Sequence, residues 1–352
     1  MSVFDRLDRL VIGGYTAELD GDAPGLVVLS PPEPGAGPGA RPDVTDVARI
    51  AAPSYVIAHP AEPWVFSAGE TAPAAVHSFA VDDAGRLTAL SALPTGGDFA
   101  CHLALSTDAG HLLVSNYGSG SVSSFAIGDD GTLSGPLDVL RFTGTGPDPD
   151  RQEGPHAHQV LVTGRGPAGD ELLVCDLGTD RIHRLGLDAA GRFHRAGGPI
   201  ELPAGTGPRH AVIVADLLLV ACELSSELWV GRRTGDGWEQ VQLVATTAST
   251  SNPRQPSGIV TDGRTVAVAT RGPDTITTFA IGPDGVRRLA EVPSGGAWPR
   301  AIELRDRQLW VANQNDGNVT VLDFAEPADP RPLATFAAAS ATCVLLLPAD
   351  PT

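Results

Sequence analysis

One phrase, an apolar strand followed by a polar or glycine corner and then a second strand, recurs seven times along this chain. It reads VIGGYT at Val11 to Thr16, VFSAGET at Val65 to Thr71, LLVSNYGSGSV at Leu112 to Val122 and LLVCDLGTDRI at Leu172 to Ile182. It continues as LLVACELSSEL at Leu218 to Leu228, VAVATRGPDTI at Val266 to Ile276 and LWVANQNDGNV at Leu309 to Val319. The corners fall at Tyr15, Glu70, Tyr117, Leu177, Glu223, Arg271 and Gln314, spaced by 55, 47, 60, 46, 48 and 43 residues. An apolar phrase at that pitch marks a repeat architecture, in which no unit buries its own faces and each must stack on its neighbours. Between the phrases lie short segments of period-2 character bounded by Gly, Pro, Asp and Asn, and helix-forming stretches are absent. Four short antiparallel strands per unit, arranged radially, predict an all-β chain folded as a seven-bladed β-propeller.

The inner strand of most units is readable as CHLALS after Ala100, HAHQVLV after Pro155, RHAVIV after Pro208, SGIVT after Pro256 and RAIEL after Pro299. The first phrase has only ten residues before it and no such partner upstream. Its inner strand is expected at the far end of the chain, in ATCVLLL at Ala341 to Leu347, so that N- and C-terminal strands share one blade and close the ring. Seven units leave no room for a second domain, and residues 1–352 read as one propeller. The wide spacings mark insertions at Pro31 to Asp43 and at Thr143 to Gly154. The second, TGTGPDPDRQEG, runs straight into His156 and reads either as a mobile loop or as a rim over a site.

Charge narrows the partners. The chain has 24 basic residues, none of them lysine, against 42 acidic ones, for a net charge of -18. That excludes the basic surface needed for nucleic acid or an anionic membrane, while a few arginines within an acidic body still suit a small anion. The start MSVFDRLDRL lacks the apolar core of a secretory signal, and no apolar run approaches the roughly 20 residues of a spanning helix, so a cytoplasmic location is expected. Cys101, Cys175, Cys222 and Cys343 lie in or beside inner strands of different blades without a CxxC pair, and read as small buried apolar residues. The acidic charge opposes casual self-association and leaves a monomer or a specific dimer.

In a propeller the corners and the starts of the inner strands gather at one mouth of the axis. The polar set there is His102, His156, His158, Arg209, His210, Glu223, Arg271, Arg300 and Gln314, with Glu70, Asn116, Asp176 and Asn313 at or beside the corners. Strict alternation would turn His156 and His158 to one side of a strand and send Arg209 and His210 to opposite sides. His102, His210 and Asp176 fit structural roles, Asp176 as a cap of the DLGTD turn, whereas turn geometry demands neither Glu223 nor Arg271. No GxSxG elbow, HExxH or cysteine cluster is present. Glu70, Glu223 and Asn116 form the one oxygen-rich set that would suit a hard cation. Glu223, or a histidine oriented by it, is the candidate general base, a histidine near its ordinary pKa of about 6.5 being suited to neutral-pH proton transfer. Arg271 and His156 or His158 are candidates for stabilising an oxyanion, and Arg209 for clamping an anionic group. A binding scaffold is the rival reading, since fold alone does not set function.

The phrases HLLVSNYGSGSV, GPHAH, LLVCDLGTDRI, GPRH, VACELSS and WVANQNDGNV resemble the lactonase family of seven-bladed β-propellers, typified by bacterial 6-phosphogluconolactonase. The resemblance runs from IGGYT at Ile12 to the strand near Cys343. It implies a cofactor-independent hydrolase that opens a small-molecule lactone, 6-phospho-D-glucono-1,5-lactone first. The alternative is an unphosphorylated or carboxylated lactone, since fungal carboxy-muconate cyclising enzymes are relatives. The family's channel residues match His102, His156, His158, Arg209, His210, Glu223, Arg271 and Gln314, with Arg300 and Asn116 as further candidates for holding substrate. Two phrases depart from the pattern: SGIVT carries Val260 where the family has a histidine, and ETAPAAVHSF replaces a glycine-rich turn. The first change is expected to remove one polar contact from the channel.

Overall fold

The computed structural model describes residues 7–31, 41–166, 169–235 and 237–348. Seven antiparallel sheets succeed one another along the chain. Blade two comprises Pro53–Ala58, Trp64–Gly69, Ala75–Val81 and Leu87–Pro94, and blade three runs from Ala100–Leu105 to Leu133–Arg141. Blade four begins at Ala157–Gly166, blade five at Pro208–Val214, blade six at Gln255–Thr261 and blade seven at Pro299–Arg305. Blade four is the irregular one, its outer edge being split into Phe193–Arg195 and Ile200–Glu201, both paired with Arg181–Leu187.

Closure follows the expected route. Ala341–Pro348 is the inner strand of blade one and pairs antiparallel with Leu7–Gly14, Leu10 facing Leu346 and Ile12 facing Val344. The ring is therefore sealed by backbone hydrogen bonds between the chain's two ends, and no long edge remains unpaired there. The insertion after Pro31 falls mostly on residues 32–40, outside the described residues.

Because successive side chains of a strand face opposite sides, each blade presents two apolar faces, and the core is divided among the seven junctions. Trp310 packs with Leu10, Val344 and Phe336 between blades seven and one, and Trp229 packs with Leu173, Cys175 and Cys222 between blades four and five. Phe66 and Phe125 fill the junction of blades two and three. Each such buried side chain stabilises by about 1.5–3 kcal/mol, so every junction matters and none dominates. All four cysteines are free and buried, as their apolar setting in the sequence suggested.

The feature that places functional groups is a β-bulge near the start of every inner strand. The register slips past Thr342, Ser54, Cys101, His158, Arg209 and Arg300, and in blade six past Ser257 and Gly258 together. A bulge leaves one residue unpaired and re-aims its side chain. Seven bulges in register therefore direct a ring of side chains at the axis.

Candidate functional site

A cavity of about 190 Å³ opens at this mouth, lined by Glu70, Tyr117, Arg151, His158, Arg209, Glu223, Arg271 and Arg300. Three of these are bulge residues, His158, Arg209 and Arg300. Four more, Glu70, Tyr117, Glu223 and Arg271, are corners of the repeated phrase. Only Arg151 comes from elsewhere, the insertion of Thr143 to Gly154. Four guanidiniums against two carboxylates make a cationic pocket within an acidic protein, the arrangement that concentrates field on a small anion.

Glu223 is the hub. Its Oε1 receives Arg151 Nη2 at 2.6 Å, and its Oε2 is met by Arg209 Nε at 3.0 Å and Arg271 Nη2 at 2.5 Å. Burial alone would raise its pKa, but Arg271, Arg209 and Arg151 outweigh burial and hold it at about 2. At neutral pH the carboxylate is an anion, hydrogen-bonded by Arg151 and ion-paired with Arg209 and Arg271, and no histidine among the described residues donates to it. A carboxylate so acidic draws a proton from water only weakly at neutral pH, which favours a holding role for Glu223 over its reading as general base. Glu223 instead fixes the arginines. Arg209 also donates to the Ser257 carbonyl at 2.6 Å, and burial together with Arg271 brings its pKa down to about 10, still protonated at neutral pH. Arg271 lies 5.5 Å from the centre of the Trp298 ring and donates through Nε to the Gln255 carbonyl at 3.3 Å.

A second charged group faces the first. Tyr15 Oη donates to Glu70 Oε1 at 2.9 Å, Arg300 Nη2 donates to Tyr15 Oη, and Arg300 reaches Glu70 Oε1 at 3.4 Å. Burial opposes the charge on Arg300, yet Tyr15 and Glu70 more than offset it and raise its pKa.

The histidines separate by depth. His158 lines the cavity, with Nδ1 turned to Cys101 Sγ at 3.7 Å, so Nε2 is the ring atom left for the cavity. Deeper on the axis, the His210 ring lies 5.0 Å from that of His158 and 5.4 Å from that of His102, which in turn lies 4.4 Å from Tyr55. Burial, reinforced by the Arg209 charge, pushes His158 and His210 well below the usual histidine range and His102 to about 3. All three are neutral at pH 7. His156 precedes its strand and stands at the rim, its ring stacked on Tyr117 at 4.3 Å and its Nε2 3.1 Å from Glu153. It does not share an orientation with His158, which meets the same tyrosine edge-on at 5.6 Å. Arg209 and His210 likewise both approach the axis, because the bulge between Pro208 and His210 breaks the alternation.

Other candidates are engaged inside their blades. Asn116 donates to Ser123 Oγ at 2.8 Å and Ser121 Oγ at 3.3 Å, and Asn313 donates to Asn318 Oδ1 at 2.9 Å. Asn116 does not line the cavity, and with Glu70 and Glu223 tied to arginines these three do not converge as an oxygen set. Among the described residues no group of three His, Cys, Asp or Glu is arranged to hold a metal. Asp176 caps its turn as expected, accepting from His156 N, Gly178 N and Thr179 Oγ1. Gln314 occupies its corner without lining the cavity, and its Oε1 is buried without a partner. Val260 packs against the core cluster of Ala267, Ala269 and Ile302 between blades six and seven and does not line the cavity. Sequence reasoning missed Arg151 and the tyrosines. The signal for Arg151 was present, as it is the one basic residue of an insertion that runs into His156.

The family model described as "Lactonase, 7-bladed beta-propeller" matches residues 9–346. The 6-phosphogluconolactonase of Bacillus subtilis is 29% identical over 289 residues, covering 78% of this chain and 81% of that protein. The 6-phosphogluconolactonase of Erwinia tasmaniensis is 26% identical over 272 residues, covering 74% and 78% of the two chains. Among solved structures, the periplasmic gluconolactonase of Pseudomonas aeruginosa superposes with a TM-score of 0.83 at 25% identity, covering 96% of this chain and 98% of that one. With seven blades, one closing strand and a match over nearly the whole sequence, the chain belongs to the lactonase family of seven-bladed β-propellers.

Proposed function

We propose that the protein hydrolyses an anionic sugar lactone, with 6-phospho-D-glucono-1,5-lactone as its first substrate. The observation that carries this reading is the meeting of four guanidiniums and one neutral imidazole at a single cavity. Opening a lactone adds water to an ester carbon, moves negative charge onto the carbonyl oxygen, breaks the ring C–O bond and releases a hydroxy acid that ionises. Arg209, Arg271 and Arg300 supply preorganised donors where that oxyanion forms. Glu223 and Glu70 hold those donors in place, so little reorganisation accompanies the reaction. His158, neutral, accepts a hydrogen bond from the attacking water at Nε2 and returns the proton to the departing ring oxygen. Aldono-1,5-lactones hydrolyse in water unaided, so a weak base that orients water is sufficient for the chemistry.

The relatives named as 6-phosphogluconolactonases support the phosphorylated substrate. A cytoplasmic location is part of the same proposal, and cell fractionation tests it against the periplasm, where the Pseudomonas relative is described. The deciding assay follows acid release from 6-phosphogluconolactone, gluconolactone and a carboxylated muconolactone at fixed pH, corrected for spontaneous hydrolysis. The phosphate ester is expected to give the highest kcat/KM. Equal values for the first two lactones would remove the phosphate from the reading, and no rate above background on any of the three would remove hydrolysis.

A further inference from the structure

We infer that Arg151 reads the charged group of the substrate that lies away from the reacting carbon, and so sets the preference for anionic over neutral lactones; this rests on the proposed lactone hydrolysis. The other three arginines of the cavity are anchored at its floor, where the reacting carbonyl would lie. Arg209 and Arg271 keep only 4% and 6% of their side chains exposed, and Arg300 keeps 15%. Each is fixed by a carboxylate and by a carbonyl or hydroxyl. Arg151 is one-third exposed and stands at the rim. It contributes Nη2 to Glu223 and lines the cavity together with Tyr117. A guanidinium carries five donors in a planar fork, so Arg151 retains donors directed to the opening, where the distal end of a ligand would rest.

Its loop is built to hold it there. Asp148 Oδ1 accepts from the backbone N–H groups of Asp150 and Arg151, and Gln152 N donates to the Asp148 carbonyl. Gln152, fully buried, donates through Nε2 to the Leu177 carbonyl at 2.9 Å and to Asp180 Oδ1 at 2.8 Å. Asp180 in turn accepts from Gly205 N and Gly207 N, immediately before the strand that carries Arg209. One carboxylate therefore sets the position of the rim arginine relative to a deep one. That coupling fixes the span between a charged terminus held at the rim and a carbonyl held at the floor.

The test is an Arg151→Gln variant of the full chain, with Arg151→Lys as its partner. Steady-state kcat/KM is measured on 6-phosphogluconolactone and on gluconolactone, and calorimetry measures binding of 6-phosphogluconate and gluconate. The expected result is a fall of about tenfold or more in the ratio between phosphorylated and unphosphorylated lactone, the scale of one lost charge-assisted contact. The affinity ratio of the two acids should fall in parallel, and lysine should restore part of both. A ratio that stays constant, whether both substrates weaken together or neither changes, overturns the assignment. If the wild-type protein opens neither lactone, hydrolysis fails as the function, while the binding ratio still decides the role of Arg151.

Discussion

Glu223 Oε2 and Arg209 Nε meet at 3.0 Å, with only 4% of either side chain exposed to solvent. Two opposite charges so placed have lost most of their hydration and depend on each other. The same carboxylate also holds Arg271 and Arg151, so it neutralises charge contributed by blade five, blade six and a loop.

Replacing Glu223 by Gln is therefore expected to destabilise the fold as well as the activity. Breaking a buried ion pair from one side costs about 3–5 kcal/mol, because the remaining charge stays buried without compensation. Urea unfolding should show a loss of about 3 kcal/mol, alongside reduced turnover. Turnover lost with the unfolding midpoint unchanged would return Glu223 to the role of a base.

Stability should fall on acidification in two stages. The folded protein keeps His158, His210 and His102 neutral, whereas the unfolded chain protonates them below about 6.5, so stability declines as pH drops through that value. Glu223 adds a second loss. Its folded pKa of about 2 lies below the ordinary 4.5, so its contribution is complete above 4.5 and disappears as pH falls towards 2. Thermal melts between pH 8 and 3 check both stages, and in the Glu223→Gln variant the lower one should flatten.

The rate on a lactone, after subtraction of spontaneous hydrolysis, should show no histidine titration between pH 6 and 8, because burial keeps His158 neutral throughout. His158→Gln should lower turnover by about a hundredfold, the low end of what a positioned acid–base group contributes. A wild-type profile that falls with an apparent pKa near 6.5, and loses that limb in the variant, would contradict the neutral, water-orienting role.

Removing residues from Ala341 onward should abolish cooperative folding. The deleted strand pairs with Leu7–Gly14 along its length and supplies Val344 and Leu346 to the junction with blade seven. A truncated chain with the melting transition of the parent would refute closure by this strand.

Gln152→Ala should leave the seven blades folded but loosen Arg151, since Gln152 is the buried tie between its loop and Asp180. A rise of several-fold in KM for an anionic lactone with a smaller change in kcat is expected, as a misplaced rim contact affects binding before chemistry. An unchanged KM would mean that the loop is held by its own turn alone.

What could be read from the residues alone follows from periodicity. The repeated phrase declared seven blades, and the absence of an inner strand before Val11 pointed to Ala341 to Leu347 at the other end of the chain, where the closing strand lies. The corners placed Glu70, Glu223 and Arg271 at one mouth, and the strand starts added His158, Arg209 and Arg300, because a radial repeat converts equal positions in sequence into neighbours in space. The sequence did not declare the bulges. Strict alternation gave His156 and His158 one orientation and parted Arg209 from His210, and a single unpaired residue per strand reversed both readings. Protonation was equally out of reach, since the same histidine or glutamate titrates by its burial and neighbours. Only the packed ring brought three guanidiniums onto Glu223 and drew Arg151 in from a loop, and those contacts make Glu223 the anchor of a cationic site.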